Sequence, residues 1–107
     1  MENERQIEFV SELLVATGRG DLSWKSAFKN SFFVSFPENS IEIGRARDDF
    51  YLALSDGGGQ EIYRWSEYNM NTDAYSKLTE LYDVARRKAL GVDAAVDSII
   101  SRLRRAG

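Results

Sequence analysis

The chain holds no histidine and no cysteine, and its 107 residues include a single proline, Pro37. Without thiols there is no disulfide framework and no thiolate nucleophile, and without imidazole there is no Ser-His-Asp triad and no Cys or His zinc site. Catalysis would have to rest on Asp, Glu, Lys, Ser, Thr or Tyr, which are also the residues of any solvated surface. The expectation is a protein that is not an enzyme, takes no cofactor, holds no metal and has no evident small-molecule substrate. No apolar run approaches the roughly 20 residues that cross a bilayer. The opening Met1-Glu2-Asn3-Glu4-Arg5 is acidic and polar where a secretory signal is basic and then apolar. The expected location is the cytoplasm, with no membrane partner.

What is present favours a folded globular state. Hydrophobic residues make up 43% of the chain and charged residues 29%, with six Phe, five Tyr and two Trp. The length suits one hydrophobic core and is short for two, so a single domain over residues 1–107 is expected.

The hydrophobic period changes along the chain. Ile7, Val10, Leu13, Leu14 and Thr17 recur at spacings of three and four, which predicts a helix from about Arg5 to Thr17 that ends at Gly18 and Gly20. Asp21 or Ser23 would cap a following turn, with Trp24 folded inward as a core plug. From Phe32 to Trp65 the period is two. Phe32, Val34 and Phe36 form one strand, Ile41 to Arg45 a second, Phe50, Leu52 and Leu54 a third, and Glu61 to Trp65 a fourth. The turns between them are Pro37 to Ser40, Arg47 to Asp49, and Asp56 to Gly59. Thr72 or Asp73 would then cap a long helix carrying Ala74, Leu78, Leu81, Tyr82, Ala85 and Ala89, stopped by Gly91. Asp93 would cap a last helix whose stripe is Val96, Ile99, Ile100 and Leu103. The predicted class is α+β, in the order α-β-β-β-β-α-α, with an antiparallel meander covered by helices.

Charge is uneven. Residues 1–84 carry 8 basic and 15 acidic groups, net −7, whereas residues 85–107 carry 6 basic and 2 acidic groups, net +4; together they give the chain's −3. Arg86, Arg87, Lys88, Arg102, Arg104 and Arg105 make this basic region a candidate contact for phosphates or carboxylates. The same residues fall in the last turns of two predicted helices, where cations oppose the helix dipole at about 0.3–1 kcal/mol each. Helix-end electrostatics is the favoured explanation, and the net acidic body argues further against a dedicated nucleic-acid binder.

Other motifs weaken under physical scrutiny. Arg19-Gly20-Asp21 spells a cell-adhesion tripeptide but reads as a helix terminator. Gly57-Gly58-Gly59 precedes a strand, whereas phosphate loops precede a helix. Asp48-Asp49 lacks the further oxygen ligands at fixed spacing that calcium or magnesium needs.

The aromatic residues carry more. Tyr51 lies opposite the Phe50, Leu52, Leu54 face, while Tyr63 and Trp65 share a face distinct from that of Ile62. If helices cover one side of the sheet only, Tyr51, Tyr63 and Trp65 are candidates for an exposed protein-binding patch. Base stacking beside Arg45, Arg47 and Arg64 ranks below it.

The segment Leu81-Tyr82-Asp83-Val84-Ala85-Arg86-Arg87-Lys88-Ala89-Leu90-Gly91-Val92-Asp93, set after a Gly- and Trp-containing turn and a short-stranded meander, resembles small uncharacterised single-domain α+β proteins of bacteria and their phages or mobile elements. The resemblance implies a stand-alone intracellular domain without an assigned reaction, acting in conflict between bacteria and mobile elements. It transfers no functional residue. The functional expectation is a non-catalytic interaction or self-associating domain, with an inhibitor or immunity-type protein as one form. A nucleic-acid-associated accessory protein is the alternative.

Overall fold

The computed structural model describes residues 2–106. Its elements are α1 (Asn3–Gly18), β1 (Lys25–Ser26), β2 (Ser31–Ser35), β3 (Asn39–Ala46), β4 (Asp49–Asp56), β5 (Glu61–Ser66), α2 (Thr72–Leu90) and α3 (Val92–Ala106). The α+β class holds, and the meander has five antiparallel strands in the order β1-β2-β3-β4-β5. The added strand is the two-residue β1, exposed at the sheet edge and too short to leave a period in the sequence.

Local chemistry explains the boundaries. In α1, Gln6, Val10, Leu13 and Thr17 are buried at helical spacing, and Gly20 follows the helix with φ +78. The Arg19 to Asp21 segment closes against the helix end, with an ion pair of 3.3 Å between its two charged side chains. Trp24 is the expected plug: its Nε1 donates to Thr17 Oγ1 at 3.0 Å, and that hydroxyl donates to the Leu13 carbonyl at 2.7 Å. A buried indole N–H therefore has its acceptor. The β4–β5 turn is held by Asp56, whose Oδ1 accepts from Gly58 N at 2.9 Å and Gln60 N at 3.0 Å.

Both predicted caps on the C-terminal helices shift. Asn71, not Thr72 or Asp73, caps α2: its side chain accepts from Asp73 N and Ala74 N, which satisfies donors that the helix itself leaves open. Gly91 stops α2 in the left-handed conformation, φ 66 and ψ 34, as expected. Helix α3 then begins at Val92, so Asp93 sits inside its first turn instead of capping it.

The register puts Phe32, Ile43, Leu52 and Trp65 in one row across β2 to β5, and Val34, Ile41, Leu54 and Tyr63 in the next row of the same face. That face carries the core. Tyr75 and Tyr82 of α2 pack their rings edge-on against Phe50, and Phe9 of α1 packs on Trp65. The opposite face alternates in step, with Phe33, Glu42, Ala53 and Arg64 in one row and Ser31, Gly44, Tyr51 and Ser66 in the next.

The molecule measures 55 × 30 × 26 Å, with a radius of gyration of 15.6 Å. A compact chain of this length would have about 13 Å. The excess lies in α3, which contains no buried residue.

Candidate functional site

Two features stand out: a helix with no cover and a groove with no occupant. In α3, Val96, Ile99, Ile100 and Leu103 are 48%, 57%, 38% and 66% exposed. With Val92 they lie within one stripe of the helix, flanked by Arg102 and Arg104. The sequence forms this helix readily, with Asp93 in its first turn and Arg104 and Arg105 in its last, each opposing the dipole. Among the described residues, none of the stripe is buried.

The groove runs along α1 on the core face of the sheet. Its larger part, about 510 Å³, lies between Phe9, Leu13 and Ala16 of α1 and Ile41 and Leu54 of the sheet, with Phe36 just after β2. A second part of about 400 Å³ continues it past Glu8 to Arg5 and Trp65. No residue of α2 lines either part. The order along β4 explains why: α2 packs on Phe50, α1 packs at the Leu52–Trp65 row, and the groove lies over Leu54 beyond α1. The sheet thus extends past α1 at Leu54. Its walls are apolar, and the acidic side chains of Glu8 and Glu12 form its rim.

The three candidate aromatics do not form one patch. Trp65 is 4% exposed and belongs to the core, because the helix-covered face is the one it points to. Tyr63 shares that face but is 47% exposed, with its ring 4.8 Å from that of Trp65, beside the groove at Leu54. Tyr51 is on the opposite face, half-buried. Its ring lies over Gly44, where any Cβ would overlap it, and under the Arg64 guanidinium, 4.3 Å from the ring centroid. Burial, with the Glu42 carboxylate beside it, raises the Tyr51 pKa above 10.0, while Arg64 works in the opposite direction. Arg64 also donates to Glu61 at 2.7 Å, which lowers the Glu61 pKa below its ordinary value. This second face carries the Tyr51–Arg64 stack beside Phe33 and Glu42, with Ile62, 54% exposed, on the same side of β5.

The basic residues divide. Arg87 is held between Asp83 at 3.9 Å and Asp93 at 3.5 Å and bridges the α2–α3 corner. Arg86 lines a depression of about 550 Å³ with Arg45, Arg47, Asn30 and Asp83. Arg102, Arg104 and Arg105 are at the far end of α3, about 15 Å or more from Gly91 at 1.5 Å per residue. The two clusters therefore do not merge on one helix end.

Among the described residues, no group of three or more carboxylates gathers as a metal would require, and no helix is long and apolar enough to cross a membrane. At Glu67, a hydrogen bond shared with Asp49, and then the charge of that carboxylate, raise the pKa. Comparisons with family models, curated proteins and solved structures find no significant match to this chain.

The stripe of α3 was readable in the sequence; its lack of cover was not, because a 3.6-residue period says that a face is apolar and nothing about what meets it. The groove had no sequence signal, since it arises where α1 ends its coverage of the sheet.

Proposed function

We propose that this protein is a non-catalytic interaction domain that engages another protein chain through α3. The observation that carries the reading is the fifteen-residue helix whose apolar stripe is exposed along its length. An isolated helix of that size is marginal in water, and most helical stability in proteins comes from packing an apolar face. Covering four side chains that are about half exposed would contribute on the order of 1 kcal/mol each, which offsets part of the cost of association. An inhibitor or immunity-type role in a bacterial or phage system fits such a domain.

The test compares the wild type with an Ile99→Asp, Leu103→Asp variant. Both positions are exposed, so the fold survives. Loss of every association seen by sedimentation and affinity capture is expected; a variant that associates as the wild type does would sink the reading.

A second reading, a nucleic-acid accessory protein, draws on the Arg45, Arg47 and Arg86 depression. Asp83 within it and the doubly paired Arg87 weaken the local field. Absence of retention of any DNA or RNA at low salt would end this alternative.

A further inference from the structure

We infer that the chain associates with itself, and that α3 of one copy occupies the α1 groove of a second copy, reciprocally. The inference rests on the interaction reading above and names its partner. Three observations carry it.

The first is dimension. The groove follows α1 from Arg5 to Ala16, and the α3 stripe runs from Val92 to Leu103, each about 16 Å at 1.5 Å per residue. The second is surface chemistry. The groove is aliphatic and aromatic at its centre and the stripe is aliphatic, and their rims carry opposite charge: Glu8 and Glu12 beside the groove, Arg102 and Arg104 on either side of the stripe. Among the described residues none of these four side chains has an ion-pair partner within its own chain. The third is connectivity. Helix α3 follows α2 after Gly91 alone, and α1 stands between α2 and the groove. A one-residue link cannot carry α3 over α1, so the groove is filled from another molecule. A two-fold axis then gives two identical contacts and leaves no open end.

The absence of native cysteine makes the test direct. Glu12→Cys and Ile99→Cys place thiols at the midpoints of groove and stripe, both on exposed side chains, where a bridge requires the two Cα atoms to come within about 7 Å. Light scattering on the wild type should give the mass of two chains, falling to one chain in the Ile99→Asp, Leu103→Asp variant. Under a mild oxidant, a mixture of the two single-cysteine chains should yield covalent dimers well above either chain alone. A monomeric wild type overturns the inference. So does Ile99→Cys that cross-links alone as well as in the mixture, which would mean that helix pairs with helix. An intrachain bridge in the double variant also overturns it, because the chain's own α3 would then fill the groove. A monomer that still binds another protein through Ile99 and Leu103 refutes the second copy as occupant and leaves the interaction reading standing.

Discussion

Helices α2 and α3 are neighbours in sequence, separated by Gly91, and similar in composition, yet they relate to the body in opposite ways. Ala74, Leu78, Leu81, Tyr82 and Ala85 of α2 are buried; α3 buries nothing. Both have an apolar stripe and cations at the C-terminal end. The difference lies in what each stripe finds: α2 lands on Phe32, Phe50 and α1, whereas α3 is directed past the body by the left-handed turn at Gly91. Amphipathicity specifies a need for cover, and the corner that precedes the helix decides whether its own chain supplies it.

The sharpest way to break this comparison is to truncate one residue in each stripe. Leu78 is fully buried, so Leu78→Ala should remove about 3 kcal/mol from the unfolding free energy, through lost transfer energy and the cavity left behind. Leu103→Ala, at a position 66% exposed, should change it by no more than about 0.5 kcal/mol in protein dilute enough to be single chains. Urea unfolding of both variants decides. Comparable losses would show that α3 is packed on the body after all.

A smaller effect separates the helix starts. Asn71 Oδ1 accepts from Asp73 N at 2.9 Å and Ala74 N at 3.3 Å, and Asn71→Ala should cost about 1 kcal/mol. Asp93, at the start of α3, contributes a dipole term and an exposed ion pair to Arg87, and Asp93→Ala should cost less than about 0.5 kcal/mol. If the two losses are equal, the α2–α3 corner is held more firmly than its exposed contacts suggest.

Much of the fold was legible in the residues. Alternation from Phe32 to Trp65 located four of the five strands, and the periods of Val10 to Thr17 and Ala74 to Ala85 located the buried faces of α1 and α2. β1 was missed because two residues carry no period. The α2 cap moved by one or two residues because Asn71, Thr72 and Asp73 can all accept from backbone amides, and only the chain's entry angle chooses among them. Trp65 illustrates the limit for sites: alternation placed it with Tyr63 on one face, but nothing local states which face the helices cover. The groove and the bare stripe are both consequences of tertiary placement, and so neither could be read as a site in advance.

The sheet face without helices offers a finer comparison with α3, since both are uncovered but the sheet face mixes apolar with charged side chains. Tyr51 is the large ring in the centre of that face, yet it is enclosed by Gly44 beneath and Arg64 above. Its pKa is raised, chiefly by burial and secondarily by Glu42. An acid whose folded pKa lies above its unfolded value favours its protonated form in the fold. The stability it contributes is therefore present below pH 10 and lost as the pH rises through the raised value. Phenolate absorbance should show a component above pH 10.0 that Tyr51→Phe removes. Glu42→Gln should move this component down and Arg64→Ala should move it up, because the carboxylate opposes a phenolate and the guanidinium favours it. If Tyr51→Phe leaves the component unchanged, the ring is as open to water as the side chains of α3, and the distinction between the two bare surfaces fails.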